Sequence, residues 1–243
     1  MGDKMVAYIG EIEKKYHKKG DAFFTAWIIK REYKREELCQ SELLYVQIGK
    51  VFEPAGEECG TLYDESNACI RCGVGRTQMN ALTLDLKQIK MHVDIAKTIA
   101  GEVIVSSQFK QAWEDAKLSG AVFSDVYQKG RKPTLVDTWY QLQIDSQPLE
   151  IISPTIAGTD PFNFEDAERY VCDKHVLGLN LISEITVSRN SWNSGDMLTT
   201  KQAFGWKQGL LMPERPLILS QNAWDCLCNA EIKGYSVEVV HMK

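Results

Sequence analysis

Apolar positions first reveal two helices. Phe109, Ala112, Trp113 and Ala116 recur at the i, i+3, i+4, i+7 spacing of one helix face, after Ser106 and Ser107 and before Gly120. Serine is a good N-cap and glycine a good helix stop, so the stripe predicts one capped amphipathic helix. Ala223, Cys226, Leu227 and Ala230 repeat the spacing between Ser220 and Gly234.

Strand patterns surround both stripes. Ala81–Leu86 alternates, Val103–Val105 is a short apolar run, and Ala121–Tyr127 and Trp139–Ile144 have strand-like composition. Nearer the amino terminus, Met5, Val6, Tyr8 and Ile9 precede the charged run Glu11–Lys19, which predicts a helix with a solvated end or a strand running into one. Ala22–Ile29 and Leu43–Phe52 suit strands, with Lys30–Glu37 a charged loop or short helix between them. Pro54–Gly60 and Ser153–Asn163 read as breaks, and Gly130-Arg131-Lys132-Pro133 as the most linker-like segment.

Sliding Val103–Tyr127 forward by 114 positions lays it without a gap on Leu217–His241, pairing Ile104 with Ile218, Ser106 with Ser220, Ala116 with Ala230, Gly120 with Gly234 and Val126 with Val240. Upstream, Asp94 and Thr98 match Asp196 and Thr200, and Cys69 and Cys72 match Cys172 and His175, at an offset of 102 or 103. Extra residues around Ala203–Pro213 account for the difference. Tyr45–Ile48 likewise resembles Tyr140–Ile144. The expected fold class is therefore α+β, with two tandem pseudo-repeats of mixed strands carrying one helix each, joined by a zinc-knuckle site. Each unit is expected to run strand, knuckle, strand, a loop carrying Asp-x-x-x-Thr, then strand, helix and strand. The expected divisions are 1–55 as strands and helix leading into the first unit, 56–130 as that unit, and 131–243 as the second.

Composition narrows the function. The 243 residues suffice to bury a core without staples, and no apolar run is long enough to span a bilayer. With no cleavable leader, the chain reads as cytoplasmic. Its seven cysteines are then better read as thiols or metal ligands than as disulfides. A net charge of -5 disfavours non-specific nucleic-acid binding, which depends on Lys and Arg displacing counterions, and suits a basic protein partner.

The cysteine pattern carries the most definite chemistry. Cys69-Ile70-Arg71-Cys72-Gly73 can aim two sulfurs at one tetrahedral metal, with the glycine easing the turn. Cys172-Asp173-Lys174-His175 offers the other two ligands if the units pack about a pseudo-twofold axis. Four protein ligands make a closed structural zinc site with no place for water. Cys59 is the rival fourth ligand, and chance proximity of buried thiols is the bland alternative. A thioredoxin-like role fits less well, because such a motif opens a helix.

Other candidates have structural explanations. Cys226 lies on the apolar stripe, Cys228 should face outward, and Cys39 has no identifiable partner. His17, His92 and His241 are isolated. Asp94 and Asp196 are expected to cap or brace a turn in their own units rather than form a catalytic pair. An enzyme would need a cleft gathering groups such as His92, Asp94 and Asp196. No phosphate-binding loop, His-Glu-x-x-His, Gly-x-Ser-x-Gly or dinucleotide fingerprint occurs, so no nucleophile is nominated and a non-enzymatic role is expected. A zinc-ribbon-like nucleic-acid or regulatory binder is the alternative; its basic face would have to come from Lys14–Lys19 or Lys30–Arg35.

Cys69-Ile70-Arg71-Cys72-Gly73, Asp94-Ile95-Ala96-Lys97-Thr98, Gly101–Ser106 and Leu118–Phe123 together resemble the bacterial double Cys-x-x-Cys-Gly motif family. The resemblance covers about 60 residues of the first unit, with a fainter echo in the second. His175 stands where that family's last cysteine falls, and Val176 where its glycine falls. Some members serve as immunity proteins, so the resemblance implies a protein that neutralises a toxin by covering its active surface.

Overall fold

The computed structural model describes residues 4–17, 27–89, 92–159 and 170–243. The helices are α1 (Lys4–His17), α2 (Arg35–Gln40), α3 (Ser107–Asp115) and α4 (Gln221–Asn229). The two main sheets use β1 (Leu43–Ile48), β2 (Val51–Phe52), β3 (Leu82–Leu84), β4 (Ile95–Thr98), β5 (Val103–Ser106), β6 (Ala121–Gln128), β7 (Thr134–Ile144), β8 (Ile185–Val187), β9 (Met197–Thr199), β10 (Leu217–Ser220) and β11 (Tyr235–Met242). The chain is thus mixed α+β. Part of the strand expected over 22–29 lies outside the described residues, and 27–29 have no regular structure. The break expected over 153–163 also falls partly outside them.

One sheet has the order β8-β11-β1-β10-β9, the other β2-β4-β5-β7-β6-β3. Setting aside β2, the two orders and senses correspond: β3 is parallel to β6 as β8 is to β11, and β4 is antiparallel to β5 as β9 is to β10. Each sheet also takes in a strand from outside the expected unit. β1 precedes the first knuckle yet lies between β10 and β11, while β7 precedes the second and lies between β5 and β6. Neither 56–130 nor 131–243 therefore contains all the strands of a sheet. The segment Gly130–Pro133 lies in the turn of the β6–β7 hairpin, where Gln128 faces Thr134.

Local chemistry explains the matching strand–helix–strand segments. Ser106 Oγ accepts from the Phe109 amide at 3.2 Å, and Ser220 Oγ from the Ala223 amide at 3.1 Å, so each helix has a serine cap. Past each helix the chain adopts positive φ at Lys117 and Glu231, both 53°, and at Gly120 (87°) and Gly234 (104°). Glycine is needed here for space as well as for φ. A Cβ on Gly120 would fall 2.2 Å from Met197 O, and one on Gly234 2.8 Å from Ile95 O.

The Asp-x-x-x-Thr segments differ from expectation in part: Asp94 and Asp196 sit in bends directly before strands β4 and β9, while the residues that follow them are strand and not loop. Asp94 Oδ1 accepts from Ser106 Oγ at 2.8 Å and its Oδ2 from the Lys233 amide at 2.9 Å. Asp196 repeats this with Ser220 Oγ at 2.8 Å and the Ser119 amide at 2.9 Å. Each carboxylate therefore braces its own capping serine and also the turn beyond the other helix.

A shared core fills the space between. Phe109 and Trp113 of α3 and Ala223 and Leu227 of α4 pack with Val46, Val105, Leu142 and Leu219 from both sheets. Burying such side chains contributes about 1.5–3 kcal/mol each. The helices meet through small residues, with Cys226 Sγ 3.4 Å from Ala112 O. Cys226 is thus partly buried on the expected stripe, while Cys228 and Cys39 are exposed.

Candidate metal centre

Opposite in character to that apolar core is a small cluster of Cys72, Cys172, Val176 and Ala203, with Cys69 against it. In the first knuckle Cys69 O accepts from the Gly73 amide at 2.7 Å, and the Cys69 amide donates to Val74 O at 2.9 Å. Gly73 has φ 73°, the left-handed conformation that the sequence pattern requires.

The second knuckle closes without a glycine. Cys172 O accepts from the His175 and Val176 amides at 2.8 and 3.0 Å, and the Cys172 amide returns to Val176 O at 2.9 Å. Val176 begins the short strand Val176–Gly178, parallel to Ala203–Phe204, and His175 O accepts from the Ala203 amide at 2.7 Å. Extended geometry suits a β-branched residue, and a neighbouring strand does the positioning that glycine does in the first knuckle. The extra segment around 203–213 also covers the first knuckle: a Cβ on Gly73 would fall 2.5 Å from Met212 Cε.

The four expected ligands converge. Cys69 Sγ lies 3.9 Å from Cys172 Sγ, and His175 Nδ1 lies 3.5 Å from Cys72 Sγ and 3.8 Å from Cys172 Sγ. All four donor atoms lie within 4.8 Å of one another. A tetrahedral zinc with sulfur at about 2.3 Å and nitrogen at about 2.0–2.1 Å would set edges of about 3.8 Å between sulfurs and about 3.6 Å from sulfur to nitrogen. The donors are therefore close enough to hold a metal ion. Because Nδ1 faces the cluster, a bound histidine would carry its proton on the outward Nε2.

Electrostatics differ between the two sulfurs of the first knuckle. The backbone amides of Cys72 and Arg71 donate toward Cys69 Sγ and hold its thiol below the usual range. Burial pushes the Cys72 thiol up, against one amide from Val74. A cation at the centre would offset the cost of ionising this buried thiol.

Cys59 lies elsewhere, in the short 3-10 turn Glu57–Cys59 near Lys129 and Asp85, and is not in the donor cluster. His241 pairs with Glu184 at 2.7 Å. Asp94 and Asp196 are bound up in the helix-end clasp, and neither they nor His92 line the cavities described below. Among the described residues, no helix is long and apolar enough to cross a membrane.

No protein-family model and no curated protein matches the chain.

Sequence reasoning missed what lies beneath the centre. A cavity of about 1040 Å³ runs along Gly73–Arg76 and the extra segment, lined also by Tyr45, Lys97 and Arg215. A second of about 390 Å³ shares Arg76, Gly101, Val103 and Arg215 with it. The only available signal was that the extra segment combines Phe204, Trp206 and nearby Arg215, an aromatic and basic mixture that connecting loops do not need.

Proposed function

We propose that the chain is a zinc-stabilised, non-enzymatic binding protein, and that its role is that of an immunity protein covering a bacterial toxin, as the double-motif resemblance implies. One observation supports the metal part: three sulfurs and one imidazole nitrogen, from loops about a hundred residues apart, lie within 4.8 Å of one another, with three of their separations between 3.5 and 3.9 Å. The soft thiolate-rich set favours zinc over hard cations. Four protein ligands leave no position for substrate water, so the ion cross-links and does not hydrolyse.

The matching strand orders, the paired serine caps and the reciprocal aspartates support an origin by tandem duplication. The placement of β1 and β7 makes each half depend on the other, and a metal pinning their loops gives one rigid body suited to preorganised binding. A net charge of -5 would steer a basic toxin toward it.

Co-expression with the product of the adjacent gene in a growth assay tests the reading. Rescue by the wild-type chain together with a co-purifying complex supports it; no rescue and no complex with that product refutes the immunity role.

A further inference from the structure

The cavities beneath the metal centre carry charge opposite in sign to the chain as a whole. The larger is lined by Arg76, Lys97 and Arg215 against one carboxylate, Glu214, which is already paired with Lys97. The smaller adds the buried Glu102. That carboxylate is occupied by the Tyr63 hydroxyl at 2.7 Å, the Thr98 hydroxyl and the Gly56 amide at 3.3 Å. The guanidinium groups of Arg76 and Arg215 line both cavities. Arg76 is held 4.1 Å over the Tyr63 ring, with half-exposed Glu57 at 3.5 Å. Arg215 forms no ion pair among the described residues.

Like charges converging on a solvent-filled space are mutually unfavourable unless an anion lies between them, and the planar fork of arginine matches carboxylate and phosphate oxygens. The remaining wall mixes aromatic and apolar side chains with the polar Gln47, Asn180 and Gln208. Trp206 and Tyr170 meet edge to face at 5.3 Å, with Phe204 and Met212 beside them. Tyr45 also lines this space, and burial together with Glu214 keeps its hydroxyl protonated, as a donor. A concave site that pairs aromatic surface with a few placed polar groups can fix a small molecule's orientation.

We propose that this cleft is a binding site for a small organic anion. Its carboxylate or phosphate head sits between Arg76 and Arg215, and its aromatic or apolar body lies along Trp206 and Phe204. The walls are extensions of the metal-bearing loops, since Gly73–Arg76 directly follows Cys72 and Phe204–Trp206 follows the residue tied to His175.

Isothermal titration calorimetry on the metal-loaded full chain, in a zwitterionic buffer, tests the site with phenyl phosphate, phenylacetate, inorganic phosphate and uncharged 2-phenylethanol. At least one aryl anion should bind with a Kd of about 1 mM or tighter, and 2-phenylethanol should not. The tighter of the two aryl anions identifies the head group. Arg215→Gln, a change at an exposed side chain, should weaken that anion about tenfold or more with metal content unchanged. Trp206→Ala should weaken the aryl anion and leave inorganic phosphate unaffected. Binding of 2-phenylethanol as tight as that of the anions, unchanged affinity in Arg215→Gln, or no binding of either aryl anion would overturn the site.

Discussion

At the helix end, the Asp94 carboxylate finds two donors and that of Asp196 three, and Phe109, Trp113, Ala223 and Leu227 bury apolar surface around them. At the knuckle end, Cys69, Cys72, Cys172 and His175 face mainly one another, and only a few apolar side chains stand behind them. The first end is complete with protein atoms alone. The second gathers electron-rich donors that would repel once ionised, so a bound cation would stabilise it. The helix end should therefore survive metal loss, with the knuckle end opening first.

The largest effect should follow metal removal. Chelation of the purified protein, or Cys72→Ser, is expected to lower stability by about 4 kcal/mol or more, roughly 10 °C in a thermal melt. Amide hydrogen exchange should show lost protection at 69–76 and 172–178 while α3 and α4 stay protected. Equal loss at both ends would erase the contrast.

Next come the glycines of the helix end. Gly120→Ala should cost about 3 kcal/mol and Gly234→Ala about 1–2 kcal/mol, because the added methyl meets backbone at 2.2 Å in one case and 2.8 Å in the other. Denaturant unfolding would measure both, with metal content unchanged. A reversed order would show that relief of the close approach does not set the cost.

Asp196→Ala and Asp94→Ala should each cost about 1–2 kcal/mol, since each strips a capping serine and a turn amide of a charged acceptor. The double variant should still bind metal. Loss of metal on breaking the helix end alone would mean that the two ends are one cooperative unit.

The smallest effect belongs to Cys59→Ser, expected to leave metal stoichiometry unchanged and stability within about 0.5 kcal/mol, given its distance from the donor cluster. A fall in bound metal would restore Cys59 as a ligand.

What was legible in the sequence follows the same division. The helices could be read because their stripes, serine caps and terminal glycines are local signals. The pairing of Cys69 and Cys72 with Cys172 and His175 could be read because an offset in sequence became proximity in space. The placement of β1 and β7 could not, because which strands pair with which leaves no mark in composition. Nor could the closure of the second knuckle: Val176 looks wrong for a turn until Ala203–Phe204 is seen pairing alongside. Asp94 and Asp196 were read as braces within their own segments, whereas three of the five hydrogen bonds their carboxylates accept come from the turn beyond the other helix. The cationic cleft was hidden because its arginines come from segments about 140 residues apart, inside a chain whose net charge is -5.

Whether one ion joins the two distant loops is answered by elemental analysis by mass spectrometry of the wild-type chain beside Cys69→Ser and Cys172→Ser. The expected result is about one equivalent of zinc in the wild type and its loss in both variants, since each removes a ligand of the same ion. Less than about half an equivalent in the wild type, or full retention in either variant, would contradict it.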